Sequence, residues 1–330
     1  MPVPSENSSS SRSLASNRTL QSFFRRLRSG DEIAHLITLA FAATIVLLTL
    51  LLVYELWTHS VLPRHHFGWK FLATSTWDPV FEHFGALPFI YGTLVTSALS
   101  LVLAMPLGVG AAIFLAELAP PRISRGLTFV VELLAAVPSV ILGLLGVFLL
   151  VPILRTDVEP FLKATLGFLP FFQGQIYGIG LLAAVVILTI MIIPFIITIS
   201  REVLLAVPAD QREAALALGA TRWESTWRVV VPYAKTGIYG SIFLALARAL
   251  GETMAVTMVI GNDPRISSSL FAPGYTIAAV IANEFTEATG NLYLQSLIEL
   301  GLVLFLVTII INALARVLIL VTTRQGTAHP

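Results

Sequence analysis

The chain has 330 residues, of which 56% are hydrophobic and 12% are charged, and its mean hydropathy is +0.86. Soluble domains carry about 25% charged residues, so this composition excludes an ordinary soluble protein and indicates an integral membrane protein. The formal net charge of +1 argues against nucleic-acid binding, which needs basic residues concentrated on one surface. Because cysteine is absent, disulfides and thiolate metal ligands are excluded.

Six apolar runs are long enough to cross a hydrocarbon core of about 30 Å, for which about 20 helical residues suffice. They lie near residues 34–56, 88–115, 127–152, 176–200, 236–261 and 292–321. Lipid tolerates only helices or closed barrels, and these runs lack the alternation of strands. The sequence therefore predicts an all-α, polytopic membrane protein with six transmembrane helices. Residues 1–30, which are serine-rich, are expected to form a disordered tail, and residues 323–330 a second short tail.

Basic residues are distributed unevenly between the two sides that six spans would create. Fourteen of the twenty lysines and arginines lie in the N-terminal tail, the second and fourth loops and the C-terminal end. Five lie on the opposite side, namely Arg64, Lys70, Arg155, Lys163 and Arg265. Arg248 alone falls within a span. Because cytoplasmic loops carry an excess of lysine and arginine, both termini are predicted to be cytoplasmic.

The fourth loop, residues 201–235, is the most informative stretch and contains PADQREAALALGATRWESTWRVVVPYAKTG. Helix-forming residues run from Gln211 to Leu218, and Gly219 follows as a C-cap or turn. A second helical run from Thr221 to Val231 is predicted to end at Pro232. The pattern predicts two helices joined by a turn. One interpretation is an amphipathic hairpin that only links two spans.

Five residues of this loop have the spacing of the EAA loop of ABC-transporter permeases: Glu213, Ala214, Ala215, Gly219 and Pro232. Val229 and Val231 stand where that family tends to have isoleucine and leucine. The resemblance implies an ABC type I (MetI-like) permease fold, whose loop helix docks on a cytoplasmic ATPase subunit. The chain has no G-x-x-x-x-G-K-[ST] pattern to cradle phosphates. ATP and Mg²⁺ are therefore expected in the partner ATPase, and no cofactor, metal or catalytic residue in this chain.

Three further stretches narrow the resemblance: VELLAAVPSVILGLLG (131–146), RALGETMAV (248–256) and PGYTIAAVIANEF (273–285). Together they resemble the permeases of the high-affinity phosphate transporter, and most of all the PstC-type subunit. The resemblance implies a heterodimer with a homologous PstA-type permease, two ATPase subunits and a periplasmic phosphate-binding protein. The permease core is predicted over residues 88–322, preceded by a first helix and outer loop over residues 31–87.

Arg248 and Glu252 lie four residues apart in the apolar stretch ALARALGETMAVTMVIGN. A rise of about 1.5 Å per residue places Arg248 about 20 Å along the fifth span, past its middle, with Glu252 one turn later on the same face. Buried charges of this kind usually face a protein interior or water. One interpretation is a structural ion pair. The other is a substrate pathway in which Arg248 offers its planar fork to a phosphate oxyanion and Glu252 orients it.

Other polar and apolar features are weaker candidates. Glu132 and Glu299, expected early in the third and sixth spans, are possible pathway residues. The histidines have no helical i, i+4 partner, so a metal site is not expected. The stretch from Tyr275 to Ala282 is too short to span and is predicted to be an interfacial helix where a binding protein docks.

Three alternatives to a phosphate permease stay open at this point. A permease of the same fold could carry another solute such as sulfate or molybdate. An ion-coupled secondary transporter could use Arg248 and Glu252 as a relay, and a membrane-bound enzyme is the third class. The EAA spacing argues against a secondary transporter, because such a protein has no ATPase to dock. Substrate choice rests on the resemblance alone.

Overall fold

The computed structural model describes residues 31–325, with side chains over residues 34–317. The expected disordered tail and residues 326–330 of the second tail lie outside the described residues. Where the structure is described, it is helical apart from loops and two isolated bridges, Asp78 with His83 and Gly261 with Gly274. The helices are α1 (Asp31–Thr58), α2 (Val61–His66), α3 (Lys70–Ala73), α4 (Leu87–Leu118), α5 (Pro121–Ala135), α6 (Ser139–Leu166), α7 (Leu181–Leu205), α8 (Ala209–Ala217), α9 (Arg222–Leu250), α10 (Met254–Val259), α11 (Ile277–Glu284) and α12 (Asn291–Gln325).

Six of these helices are long and apolar enough to cross a membrane, namely α1, α4, α6, α7, α9 and α12. The predicted number of spans and the all-α, polytopic fold class are therefore confirmed. The chain divides into two compact units, of which the first ends at Thr58 and the second begins at His59. The first unit contains α1, and the second contains the remaining described helices. The predicted division at residue 88 stays a prediction.

The helix α7 lies at the centre of the second unit and packs against α4, α5, α9 and α10. It is apolar all round, so each of its faces can pack against protein. In its most apolar window 67% of the residues are buried, against 22–33% in α4, α6, α9 and α12. Small residues bring α4 close to it: the Ser100 hydroxyl donates to the Val185 carbonyl over 3.1 Å, and a Cβ added at Gly108 would lie 2.8 Å from Ile196.

The short helix predicted within residues 275–282 is present as α11. Its N-cap is Thr276, whose hydroxyl accepts a hydrogen bond from the Ala279 amide over 3.3 Å. Ile277 and Val280 are fully buried in a cluster that includes Phe89 of α4 and Leu297 of α12. The helix is thus packed into the second unit, and its role as a docking site stays a prediction.

The third span differs from the prediction over residues 127–152, because the helix breaks at Pro138. α5 ends at Ala135 and α6 begins at Ser139. Proline lacks an N–H and disfavours helical backbone in the residue before it, so one apolar run holds two helices. α6 then reaches Leu166 through two π turns, Gly146–Leu150 and Leu154–Val158.

Because the third span lies further along the chain than predicted, three charged residues have positions that differ from the prediction. Arg155 and Lys163, predicted in an outer loop, belong to α6. Glu132 lies on α5, so its predicted position in the third span is wrong. Three of the five basic residues expected outside still lie outside the spanning helices. Arg201, Arg222, Arg228, Lys235 and Arg316 of the opposite side likewise lie within spanning helices. The observed helix boundaries thus remove basic residues from the loops of both sides, and the orientation of the chain stays a prediction.

The fifth span begins earlier than predicted. α9 starts at Arg222 and runs without interruption through Pro232, so the predicted end of a separate loop helix at Pro232 is wrong. The π turn Thr226–Val230 lies just before this proline. In a regular α-helix the proline ring would clash with the carbonyl four residues earlier, and a wider turn relieves that clash.

The fifth span also ends earlier than predicted. α9 stops at Leu250, Gly251 follows as its C-cap, and a separate short helix, α10, begins at Met254. Glycine is a poor helix former, which favours the end of α9 at Gly251. The carboxylate of Glu252 would be unfavourable inside an apolar helix, whereas at the start of α10 it accepts a backbone hydrogen bond. A continuous span over residues 236–261 is therefore wrong. The fourth span likewise begins at Leu181 rather than 176, after the left-handed Gly178 (φ +74°).

Candidate functional site

A helical hairpin, formed by α8, the turn 218–221 and the first two turns of α9, is built around Gly219. This glycine has a φ of +87°, in the left-handed region that favours glycine. The Ala220 amide donates to the Ala215 carbonyl over 3.2 Å, and the Gly219 amide donates to the Leu216 carbonyl over 3.0 Å. These two bonds form the Schellman motif that ends a helix. The predicted turn at Gly219 is confirmed.

The second arm of the hairpin starts with a capping box. The Thr221 hydroxyl accepts a hydrogen bond from the Glu224 amide over 3.2 Å, and the Glu224 carboxylate accepts one from the Thr221 amide over 2.9 Å. This reciprocal pair satisfies two backbone donors at the start of α9. The turn between the two arms is therefore defined at both of its ends.

The two arms enclose an open groove of about 480 Å³, whose lining includes Gln211, Ala214, Ala215, Gly219, Glu224 and Arg228. The structure thus brings both alanines and the glycine of the predicted motif to one groove. Glu213 is exposed on α8, and Pro232 is exposed further along α9. The small alanine side chains leave the groove open, and the exposed carboxylate of Glu213 is available to a partner.

Arg212, which is not part of the predicted motif, joins the hairpin to two spanning helices. Its guanidinium pairs with the Glu117 carboxylate at the end of α4, over 2.7 Å from Nη2 and 3.1 Å from Nε. It also donates to the Leu204 carbonyl over 2.7 Å and to the Val207 carbonyl over 2.5 Å, where α7 ends. A bidentate pair of this kind is stronger and more directional than a single hydrogen bond. No periodic pattern signals it, because Glu117 lies 95 residues away.

Arg248 and Glu252 lie at the break in the fifth span, which we call the charged break (residues 248–254). Arg248 is in the last turn of α9, and its guanidinium lies 5.9 Å from the centre of the Phe195 ring. Glu252 is in the break, where its carboxylate accepts a hydrogen bond from the Ala255 amide over 3.3 Å and caps α10. Within the described residues no ion pair of 4.0 Å or less joins Arg248 to Glu252. The expected placement of both on one helical face is therefore wrong.

The exposure of these two side chains differs. Arg248 is exposed at the surface of this chain, whereas Glu252 is half-buried. Arg248 lies in the last turn of α9, so its predicted position just past the middle of the fifth span is wrong. A guanidinium that faces lipid is still unfavourable, and water, an anion or a partner chain beside Arg248 would remove that cost. The guanidinium carbon lies over the Phe195 ring at the outer range of cation–π contact, and such a contact does not use the N–H donors.

An exposed charged pair lies in the loop after α10. The Arg265 guanidinium donates to both carboxylate oxygens of Asp263 and holds the pKa of that carboxyl below its ordinary value. The Arg265 side chain is largely exposed. Exposed pairs of this kind contribute little to stability, so Arg265 is a suitable reference for effects of arginine replacement elsewhere in the chain.

Known membrane transport proteins share the fold of this chain. Residues 104–321 match the family model of the inner membrane component of binding-protein-dependent transport systems. Among solved structures, an alginate ABC transporter chain has a TM-score of 0.57 and 16% identity, over 88% of this chain and 96% of that one. A chain of the MetNI methionine ABC transporter has a TM-score of 0.52 and 18% identity, over 74% and 98%. The structural likenesses show the ABC type I permease fold. The family model shows that the chain is a multi-pass membrane component of a multi-subunit transport system.

Curated relatives define the group more narrowly. The phosphate transport system permease protein PstC of Mesorhizobium japonicum is 49% identical over 307 residues, which cover 92% of this chain and 94% of that protein. PstC of Pasteurella multocida is 49% identical over 258 residues, which cover 77% and 80%. The chain belongs to the PstC family of binding-protein-dependent transport permeases.

Proposed function

We propose that this chain is a transmembrane subunit of an ATP-driven importer that moves inorganic phosphate across the bacterial cytoplasmic membrane. The observation that carries the proposal is the identity of 49% to a PstC phosphate permease along nearly the whole of both chains. In this assembly the chain pairs with a homologous PstA-type permease, two ATPase subunits and a periplasmic phosphate-binding protein. ATP and Mg²⁺ bind to the ATPase subunits, and this chain contributes no catalytic residue.

The helical hairpin is the handle for the ATPase in this proposal. Its helix α8 has no buried residue, so its surface is available to a partner. The lining of the groove beside it includes Ala214, Ala215 and Gly219, whose small size allows close packing. The second arm of the hairpin is continuous with the fifth span. A displacement of the hairpin is therefore delivered along a single helix to the charged break.

The charged break is the proposed contact with phosphate. Arg248 is not paired with Glu252, so its guanidinium fork can take two oxygens of the anion. Glu252 caps α10 and holds negative charge near the site. That charge weakens anion binding, and a pathway needs binding weak enough to release its substrate. Because α9 ends within one turn of Arg248, movement of that helix displaces the arginine relative to α10.

Substrate selection tests the proposal most simply. The complex of this chain, the PstA-type permease and two ATPase subunits is purified into lipid nanodiscs. We expect phosphate with its binding protein to stimulate ATP hydrolysis by this complex. Sulfate and molybdate are expected not to stimulate it. The measurement is the rate of ATP hydrolysis at saturating concentration of each anion. Stimulation by sulfate or molybdate instead of phosphate would assign the chain to a different solute.

Orientation can be tested by fusion of a reporter that is active only in the cytoplasm. A fusion after Ala220, in the turn of the hairpin, is expected to be active, and one after Arg265 is expected to be silent. The reason is the excess of basic residues on the side that bears the hairpin. Activity measured in intact cells, relative to the amount of inserted protein, decides the outcome. An active fusion after Arg265 would contradict the orientation.

A further inference from the structure

The helix α8 is attached to the rest of the permease in an unusual way. It is nine residues long and none of its residues is buried. A helix this short is not stable in water on its own, and apolar packing does not hold it in place. The connection to α7 is the three-residue segment 206–208, which ends at Pro208. At its other end α8 is joined to α9 through the turn 218–221. These two connections alone would let α8 follow α9 and shift relative to α4.

Arg212 supplies a further contact, which joins α8 to α4. Its side chain is 23% exposed and that of Glu117 is 9% exposed, so the pair is largely removed from solvent. The Leu204 and Val207 carbonyls lie at the C-terminal end of α7, where helix carbonyls lack partners and a positive charge is favoured. One guanidinium therefore satisfies the end of α7 and holds the end of α4 at the same time. The buried hydroxyl of Ser124 also donates to the Leu115 carbonyl over 2.8 Å, which adds the start of α5 to this junction.

We propose that Arg212 and Glu117 form a latch that makes α8 move as one body with the adjoining ends of α4 and α7. This inference rests on the proposed function, in which an ATPase subunit displaces the helical hairpin. α9 is covalently continuous with the hairpin and follows it directly. α4 and α7 have no such continuity, and the latch transmits the displacement to them. Arg212 and Glu117 are positioning residues in this account, since neither contacts the substrate.

The absence of cysteine allows a direct test by spin labelling. Labels are placed at Asp210→Cys on α8 and at Leu107→Cys on the exposed face of α4. The distance distribution is measured in the assembled complex, without nucleotide and with ATP trapped. With Arg212 present we expect one narrow distribution whose width is the same in both states. With Arg212→Gln we expect a broader distribution, because α8 is free to shift relative to α4.

Coupling provides the second readout. Arg212→Gln is expected to lower phosphate transported per ATP hydrolysed by about tenfold, the effect of losing one charge-assisted contact, while the ATPase subunits remain bound. Arg212→Lys should recover only part of the coupling, because lysine cannot make the bidentate pair. The matched control is Arg122→Gln, which alters an exposed arginine at the start of α5 and should change neither readout.

A double-variant cycle shows whether Arg212 and Glu117 act together or independently. Because Glu117 acts through Arg212, combining Glu117→Ala with Arg212→Gln should cost no more coupling than Arg212→Gln alone. Additive losses would overturn the latch, as would a narrow label distribution in Arg212→Gln. If the Arg212→Gln variant does not insert into the membrane, the label distances and the coupling are measured in Glu117→Ala and Arg212→Lys instead. The label distances do not depend on the solute, so they decide the latch even if phosphate fails to stimulate the unaltered complex.

Discussion

Replacing Arg248 by glutamine is expected to lower phosphate uptake by about 10- to 100-fold, because charge-assisted hydrogen bonds contribute about 1.5–3 kcal/mol. Glutamine is similar in length but has neither the charge nor the planar fork. The side chain is exposed on this chain, so its replacement leaves no buried partner unsatisfied. Insertion and assembly with the other subunits should therefore persist. Radiolabelled phosphate uptake, normalised to inserted protein, measures the effect.

Glu252→Gln and the double variant distinguish a contact with phosphate from a structural ion pair between Arg248 and Glu252. Glutamine keeps the oxygen that accepts a hydrogen bond from the Ala255 amide, so the cap on α10 should survive and uptake should fall less than in Arg248→Gln. Combining the two changes is not expected to restore uptake, since no ion pair within 4.0 Å joins the two residues in the described structure. Recovery in the double variant would show that they act as a self-neutralising scaffold. Arg265→Gln, which alters the exposed outer pair, is the matched control and should transport normally.

Gly219→Val is expected to uncouple the complex. Left-handed backbone costs about 1–2 kcal/mol for a residue with a Cβ, and a β-branched side chain is still less compatible with it. A Cβ at this position would meet no atom within 4 Å, so the effect is on backbone conformation rather than on packing. The hairpin would lose its turn. Transport and phosphate-stimulated ATP hydrolysis should fall together by about tenfold, as a change of about 1–2 kcal/mol implies.

Two control variants isolate the conformational cause. Gly219→Asn should retain most of the activity, because asparagine tolerates the left-handed region. Gly240→Val changes a glycine of α9 that also has open space around it but does not have a positive φ, and should be nearly neutral. Normal stimulated hydrolysis in Gly219→Val would reduce the hairpin to a simple connection between two spans.

The sequence predicted those features that depend on local chemistry. The six apolar runs define six spans because lipid imposes helices of that length. Gly219 and the helix-forming residues before it predict the turn of the hairpin, because a Schellman motif needs a residue tolerant of positive φ. The PstC resemblance agrees with relatives that cover most of the chain. The roles of Arg248, Glu252 and the hairpin motif stay predictions.

The predicted bounds of the third and fifth spans were wrong because the composition does not change where the helices end. Pro138 and Gly251 each interrupt an apolar stretch, and hydropathy is the same on both sides of the break. The π turn before Pro232 has the opposite effect, because it lets a helix continue through a residue that usually ends one. The latch between Arg212 and Glu117 depends on tertiary structure that brings distant residues together. No spacing within one helix could reveal it.

Uptake of radiolabelled phosphate into proteoliposomes tests the central claim most directly. The vesicles contain this chain, its PstA-type partner and the ATPase subunits, with ATP on the ATPase side and the binding protein on the other. The account predicts accumulation of phosphate above its external concentration only when ATP is present, and competition by unlabelled phosphate but not by sulfate. Accumulation that follows an ion gradient without ATP would contradict it, and so would equal competition by sulfate.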